Sequence, residues 1–267
     1  MKENIKQVQK VILMIAQEVT NICDKNNIQY SLDGGSLLGA VRHEGFIPWD
    51  DDFDIVIPRS QYNKFLQVAQ KELPTNYFLQ TEDNTPEYAF DFCKVLLNGT
   101  LLEEKFSETA NVHHGVFVDI FPIDNLPDNK FVRKIYLLQN SILKNLIWVK
   151  CGYGKLTHAN TFKYHIYKLM GNPFDIKSLK KMRKKVLIRC NRKKGRYCFT
   201  ADYPQSYRKW DWYNNFSNYK FENTEFKGLT DYKDYLTTIY GNYLQLPPVE
   251  DRQVHGIKVN LGKYSNL

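Results

Sequence analysis

The segment Asp50-Asp51-Asp52-Phe53-Asp54 places four carboxylates within five positions. Asp52 and Asp54 are two residues apart at the start of an apolar run that predicts a strand, so both side chains project from the same face. Neighbouring carboxylates repel each other unless a cation lies between them. Hard oxygen ligands of this kind suit Mg²⁺ that keeps some of its waters and binds substrate phosphates. The cluster therefore predicts a magnesium-dependent enzyme that acts on nucleotide phosphates.

A third acid is expected on a strand beside this cluster. Asp119 is the single acid in the apolar run Val116–Phe121, which predicts a buried strand. With Asp52 and Asp54 it would complete a site for two Mg²⁺ ions. Asp51 is placed among the substrate-binding residues, as a support for these ligands. A solvated acidic turn is the usual interpretation of an isolated Asp-x-Asp pair, but the acid buried in a strand favours the metal site.

A glycine turn lies upstream of the acids. Gly34–Gly35–Ser36 follows a short predicted strand and opens a predicted helix. Glycine lets the backbone approach a ligand closely, and the free N–H groups at a helix start bind phosphate oxygens. Gly35 and Ser36 are therefore candidate phosphate contacts. Arg42, farther along the same helix, is predicted either to contact a phosphate or to form an ion pair with the acidic cluster.

The order of these motifs resembles the polymerase-β-type nucleotidyltransferase superfamily. Within that superfamily, the chain is similar to the LicD family of phosphorylcholine transferases. The segments that carry the similarity are Leu38–Arg42, Gly45–Asp52, Phe117–Pro122 and Tyr240–Pro248. The resemblance reaches from about residue 28 to residue 255, and the middle of the chain (130–225) contributes little to it.

The resemblance implies Mg²⁺-dependent transfer of phosphocholine from CDP-choline to a sugar hydroxyl, with release of CMP. The acceptor would be a lipid-linked or surface glycan of a bacterium, such as a lipopolysaccharide or teichoic acid precursor. Asp52 and Asp54 would bridge the two metal ions, and Asp119 would be the third ligand and a candidate base. Another CDP-alcohol, such as CDP-ribitol or CDP-glycerol, stays open as the donor because the shared part of these donors is cytidine diphosphate.

Five further residues are candidate substrate contacts, each with a plain structural alternative. Lys94 would contact a phosphate, or it is an edge-strand lysine whose ammonium reaches water. Trp210 and Trp212 offer the aromatic faces that a quaternary ammonium needs, or they serve only in packing. Arg252 and His255 would fold back over the active site, or they belong to a surface tail.

Hydrophobic periodicity predicts an α/β (α+β) fold in which a mixed sheet is flanked by helices. Helices are predicted over 8–26, 36–43, 59–73, 131–149, 178–192 and 231–240. Strands are predicted over 28–32, 53–57, 90–97, 100–102 and 116–121. Asn98–Gly99 predicts a hairpin turn, and Pro122 predicts the end of the last strand.

This pattern divides the sequence into two predicted parts. Residues 1–130 would form a nucleotidyltransferase-like catalytic core. Residues 131–267 would be mainly helical and rich in aromatic residues, would complete the substrate site, and would carry a basic segment. The strand signal fades after residue 129, which is the basis for placing the boundary there.

The basic segment Lys177–Arg196 contains eleven Lys or Arg residues and no acid, while the whole chain has a net charge of +8. Like charges at this density repel each other and need an anionic partner, so we expect contact with an anionic membrane. The five scattered cysteines form no CxxC motif and no apolar run is long enough to span a bilayer. These features predict a cytoplasmic protein at the inner face of the cell membrane.

Three other classes compete with this interpretation. Prenyl synthases place a similar Asp-rich motif on a helix, whereas Asp50–Asp54 leads into a strand pattern. Glycosyltransferases with an Asp-x-Asp motif also bind a nucleotide diphosphate through a metal ion, but their apolar strand usually precedes the motif. A nucleic-acid-binding module would leave the acidic cluster unexplained, because carboxylates repel phosphate, so no nucleic-acid partner is expected.

Overall fold

The computed structural model describes residues 5–154, 161–192, 195–203, 207–252 and 254–267. The helices are α1 (Ile5–Lys25), α2 (Gly34–His43), α3 (Arg59–Glu72), α4 (Lys130–Lys150), α5 (Phe162–Gly171), α6 (Ile176–Ile188) and α7 (Tyr232–Tyr240). The strands are β1 (Ser31–Leu32), β2 (Asp54–Pro58), β3 (Tyr77–Gln80), β4 (Cys93–Leu97), β5 (Leu101–Glu104), β6 (Phe117–Leu126), β7 (Tyr197–Thr200), β8 (Arg208–Lys209), β9 (Phe216–Phe221), β10 (Thr224–Leu229) and β11 (Gly256–Asn260). The predicted α/β class is confirmed.

A seven-stranded mixed sheet carries the acidic residues. Five of its strands follow the order β1-β2-β6-β4-β3, and β7 and β8 continue the sheet from the later part of β6. Strands β2 and β6 are parallel, and the other neighbours are antiparallel. The apolar face of α1 packs against this sheet through fully buried side chains such as Val11, Ile15 and Val19, as its spacing predicted.

The prediction that Pro122 ends its strand is wrong, because β6 continues through it to Leu126. Residues 117–120 of β6 pair with β4, and residues 123–126 pair with β7. Pro122 therefore lies where the antiparallel partner changes. A residue without an N–H group is tolerated there because no ladder hydrogen bond has to be formed on that side.

The predicted hairpin at Asn98–Gly99 is also wrong. Gly99 does adopt a left-handed conformation, with φ of +79°, so a turn is present. However, β4 already has β3 and β6 as its two neighbours. Strand β5 instead pairs with β11 near the C-terminus of the chain, with Leu102 opposite Val259.

Residues 131–267 contain four helices among their described parts, together with five strands that the sequence pattern did not reveal. Strands β7 and β8 belong to the same sheet as β1–β4 and β6. Strands β9 and β10 form a hairpin whose Phe221 and Phe226 lie edge-to-face against Phe53, at centroid distances of 5.3 and 5.1 Å. Aromatic residues of this hairpin thus pack against Phe53, which lies within the acidic segment.

The basic segment has partners within the protein that its sequence did not suggest. Lys180 donates to the carbonyl oxygens of Glu82 and Pro86, at 3.0 Å each. Arg183 forms a buried ion pair with Asp202 at 2.7 Å, and Lys184 pairs with Glu82 at 3.1 Å. Part of the predicted self-repulsion is therefore neutralised inside the chain. Residues 193 and 194 of the segment lie outside the described residues.

Candidate active site

Asp54 on β2 and Asp119 on β6 are register partners on parallel strands, and Lys94 on β4 is the partner of Asp119 on its other side. Register partners point their side chains to the same face of a sheet. One face therefore presents two carboxylates and an ammonium group at the same level. The backbone N–H of Asp119 donates to the carbonyl of Phe53 at 3.0 Å, and this bond fixes the register of β6 against the start of β2.

Lys94 is buried and holds two acids together. Its Nζ lies 3.3 Å from Asp119 Oδ1 and 3.1 Å from Glu104 Oε2, and 3.2 Å from the centroid of the Phe117 ring. Strand β4 lies between β3 and β6, so the alternative of an edge-strand lysine that reaches water is wrong. Lys94 thus partly neutralises Asp119, and both side chains are nearly buried.

The acids of this site have strongly perturbed protonation. Burial raises the pKa of Asp52 and of Asp54 well above the usual value, and the neighbouring carboxylates raise both further. Burial also raises the pKa of Asp119 to about 7, although the charge of Lys94 lowers it. The pKa of Asp50 is raised to about 6 by burial, against the lowering effect of His255. Such shifts are typical of sites that hold a cation or transfer a proton.

The glycine turn is built around the acids. The Ser36 hydroxyl oxygen accepts a hydrogen bond from the backbone N–H of Asp54 at 2.8 Å, so Ser36 joins the start of α2 to the start of β2. A Cβ atom on Gly35 would lie only 2.9 Å from Asp50 Oδ2. A side chain at this position would displace the Asp50 carboxylate, so glycine lets the helix start approach the acids as they stand.

Asp33, Arg208 and Tyr235 form a buried network behind the glycine turn, and the sequence analysis did not find it. Arg208 Nη2 donates to Asp33 Oδ2 at 2.7 Å, and the Tyr235 hydroxyl donates to Asp33 Oδ1 at 2.5 Å. The Tyr235 oxygen also accepts from the N–H of Gly34 at 3.0 Å. The one available signal was the position of Asp33, between a predicted strand and the glycines.

The C-terminal segment folds back over the acidic cluster through Asp51. Both carboxylate oxygens of this buried residue accept backbone N–H groups at 2.8 Å, one from His255 and one from Gly256. The His255 imidazole lies 3.5 Å from Asp52. Asp51 therefore positions the strand that brings His255 to the cluster, which agrees with the supporting role expected for it.

The side chain of Arg42 contacts a backbone carbonyl, and that of Arg252 contacts an aromatic ring. Arg42 donates to the carbonyl of Tyr243 at 2.8 Å. Among the described residues it forms no ion pair with the acidic cluster. Arg252 lies over the Trp49 ring, 4.5 Å from its centroid. Both arginines thus order the segments that border the acidic cluster.

The two candidate cage tryptophans do not share one environment. Trp212 is 4% exposed, donates to Asp234 at 2.8 Å, and meets the Tyr235 ring edge-to-face at 5.4 Å. Trp210 is partly exposed and donates to the Asn125 side chain. Trp212 therefore packs inside the protein, as the structural alternative has it, whereas Trp210 keeps an accessible surface.

Two sets of residues have the donor chemistry of a Mg²⁺ site. The ligand atoms of Asp50, Asp51 and His255 all lie within 4.8 Å of one another, a set that the sequence analysis did not anticipate. In the predicted set of Asp52, Asp54 and Asp119, the Asp119 Oδ1 atom has Lys94 Nζ 3.3 Å away, and the charge of Asp119 raises the pKa of Asp54. Carboxylates crowded in this way, with one ammonium group between them, fit a hard cation. The predicted set therefore stays a prediction that the chemistry of the site supports.

The sequence is similar to those of known proteins. Residues 27–150 match the family model described as LicD/FKTN/FKRP, nucleotidyltransferase domain. The lipopolysaccharide cholinephosphotransferase LicD of Haemophilus influenzae is 29% identical over 96% of this chain and 97% of its own length. The human ribitol 5-phosphate transferase FKRP is 48% identical over 40% of this chain, which is 19% of that protein.

Proposed function

We propose that the protein transfers phosphocholine from CDP-choline to a sugar hydroxyl of a bacterial surface glycan. The premise is that residues 27–150 are a LicD-family nucleotidyltransferase domain and that the protein is a phosphotransferase. The observation that carries the proposal is the alignment of Asp54 and Asp119 on adjacent parallel strands, next to a glycine turn that opens a helix. The similarity to a lipopolysaccharide cholinephosphotransferase along nearly the whole chain supports the choice of donor and acceptor.

In the proposed reaction, the acceptor hydroxyl oxygen attacks the phosphorus that carries choline. A new P–O bond forms, the bond from this phosphorus to the bridging oxygen breaks, and CMP leaves with the electron pair. The hydroxyl proton passes to a carboxylate, for which Asp119 is the candidate because its pKa is raised to about 7. Lys94, paired with Asp119, would stabilise negative charge on the transferred group.

Asp52, Asp54 and Asp119 would hold Mg²⁺, which when bound neutralises charge on the diphosphate oxygens. The protein's own contribution is to hold these carboxylates in one orientation. The Ser36 hydroxyl fixes the backbone at Asp54, and β6 fixes Asp119 through its paired neighbours on both sides. At the start of α2, the N–H of Gly35 would contact a donor phosphate, since the N–H groups of Gly34 and Ser36 already donate to Tyr235 and Asp33.

The donor is tested by a screen with Mg²⁺ and candidate glycans in which nucleotide release is measured. The proposal predicts CMP from CDP-choline and from no nucleotide sugar. Release of UDP or GDP from a nucleotide sugar would instead identify a glycosyltransferase. CDP-ribitol is the second candidate donor. The identity to the human ribitol 5-phosphate transferase is 48%, over 40% of this chain, which is higher than the 29% identity to the cholinephosphotransferase over nearly the whole chain.

We also propose that the protein attaches to an anionic membrane through the exposed lysines of Lys177–Arg196. Lys177, Lys181 and Lys185 are exposed, and the apolar side chains of Phe174 and Ile188 near them are 42% and 45% exposed. Lysines gain electrostatic free energy at an anionic surface while exposed apolar groups enter the interface. Along the described residues, no helix combines the length and the apolar character needed to cross a bilayer.

A further inference from the structure

A groove of about 360 Å³ lies between α4, residues 202–203 after β7, and the rings of Phe90 and Phe106. Its volume falls in the range of small-molecule sites, about 300–1,000 Å³. Its walls are mainly aromatic, and the residues that line it include Phe90, Phe106, Lys144, Asn145, Trp148 and Tyr203. None of these residues has a part in the proposed reaction.

Aromatic contacts connect this groove to the carboxylate face. Phe121 is two positions after Asp119 on β6 and therefore lies on the same face of the sheet. The Tyr203 ring lies 5.6 Å from the Phe121 ring. On the other side, Phe92 lies 4.3 Å from Phe121 and 5.0 Å from Phe90, which lines the groove. A molecule in the groove would thus lie next to the site of phosphate transfer.

We propose that this groove binds a sugar ring of the acceptor glycan, an inference that rests on the proposed function. The C–H bonds on one face of a pyranose carry partial positive charge and pack against the electron-rich face of an aromatic ring. Tyr203 is 51% exposed and offers such a face. Its ring contacts Phe121, which lies on the face of the sheet that carries Asp119.

Trp148 also lines the groove, and it is held in place from within the protein. Phe106 stacks on it at a centroid distance of 6.4 Å and an interplanar angle of 27°. Gly154 lies so close that a Cβ atom there would meet the indole ring at 2.3 Å. A ring that is fixed in this way loses little side-chain entropy when a ligand binds. Asn145 and Lys144, which also line the groove, supply polar groups for sugar hydroxyls.

The charges of the groove favour a neutral sugar over the choline ammonium. Its cation, Lys144, would repel a second positive charge. Among the described residues that line it, the one carboxylate, Asp202, already accepts from Arg183 through Oδ1 at 2.7 Å and from the backbone N–H of Asp91 through Oδ2 at 2.9 Å. A quaternary ammonium binds between aromatic faces most strongly where a carboxylate balances its charge. The described lining of the groove supplies the rings, and its carboxylate is already engaged.

Saturation-transfer NMR tests the assignment without relying on turnover. The probes are the methyl glycosides of glucose, galactose and N-acetylgalactosamine, with choline chloride as a separate arm. We expect at least one glycoside to receive saturation from wild type, and Tyr203→Ala and Trp148→Ala to weaken its binding about tenfold or more. Tyr203→Phe, which keeps the ring, should retain binding. The matched control is Phe162→Ala, since Phe162 is an exposed aromatic residue outside the groove.

The donor provides an independent readout. Binding of CDP-choline should be the same in Tyr203→Ala as in wild type, while the KM for the glycan acceptor rises. Glycoside binding that is equal in wild type, Tyr203→Ala and Trp148→Ala would overturn the groove assignment, and so would choline binding that these two substitutions abolish. Failure of CDP-choline to bind wild type would instead refute the proposed donor and leave the glycoside result to stand on its own.

Discussion

Asp54 and Asp119 lie directly opposite each other on adjacent parallel strands. Both are on the face of the sheet that carries the carboxylates, which the glycine turn approaches. Burial raises the pKa of both carboxyl groups, and the charge of Asp119 raises that of Asp54 further. Such an arrangement destabilises the fold by itself, since two crowded negative charges repel each other. Such a pair of carboxylates is useful where a cation and a phosphate substrate need both charges at one place.

Neutral substitutions should separate the ligands from their neighbours. Asp52→Asn, Asp54→Asn and Asp119→Asn should each lower turnover by about three orders of magnitude or more, because each would remove a charge that faces the diphosphate. Asp50→Asn should leave substantial activity. Initial rates of CMP release at saturating CDP-choline provide the measurement. An equal loss in all four variants would contradict the division of the cluster into ligands and supports.

The same substitution should have the opposite effect on stability. Without divalent metal, Asp54→Asn should raise the midpoint of thermal unfolding, because it removes a repulsion between buried carboxylates. Mg²⁺ should raise the midpoint of wild type and leave that of Asp54→Asn nearly unchanged, since ligands stabilise the state that binds them. Glu225→Gln, at an exposed position on β10, is the matched control. A wild-type midpoint that does not respond to Mg²⁺ would contradict the metal site.

The metal-free protein should lose stability as pH rises from about 4 to 7. The pKa of Asp119 is raised from 3.8 to about 7, and that of Asp50 to about 6. The folded state therefore binds more protons than the unfolded state in this interval, and the free energy of unfolding falls with pH. Urea denaturation in EDTA at several pH values measures the slope, which Asp119→Asn should reduce. Activity should rise over the same interval if Asp119 accepts the proton.

The Arg208–Asp33–Tyr235 network should act on donor binding through the position of the glycine turn. Tyr235→Phe removes the hydroxyl that joins Asp33 to the N–H of Gly34, so the KM for CDP-choline should rise more than kcat falls. Arg208→Met leaves a buried carboxylate without its cation and should destabilise the fold by about 3–5 kcal/mol. The second substitution Asp33→Asn should restore part of that stability. A double-mutant cycle with no coupling would show that the pair does not act as a unit.

Membrane attachment should depend on the exposed lysines of the basic segment. Lys181→Glu/Lys185→Glu should reduce co-flotation with liposomes that contain anionic lipid. Lys71→Glu/Lys233→Glu makes the same change in charge at exposed positions on α3 and α7 and should have little effect. At moderate salt wild type should still float, because apolar contacts add to the electrostatic attraction. Equal loss in both double variants would show that net charge, and not this segment, controls binding.

Part of this architecture was predictable from short stretches of sequence. The spacing of Val8, Val11, Ile12 and Ile15 predicts α1, and the alternation after Asp52 predicts β2, because periods of 3.6 and 2 follow from backbone geometry alone. The apolar run Val116–Phe121 likewise predicted that Asp119 lies within a buried strand. The resemblance to the LicD family then gave these acids a chemical meaning that periodicity could not supply.

Adjacency in space was decided only by the tertiary structure. No local pattern shows that Lys94 and Asp54 flank Asp119 in register, that Asp51 holds the backbone of His255, or that β5 leaves β4 to pair with β11. Strand pairing and buried ion pairs depend on which distant elements pack together, and the free energy of that choice is spread over the whole core. The sequence alone thus identified the acids and the strands that carry them, whereas packing between distant elements determined their partners and the aromatic groove beside them.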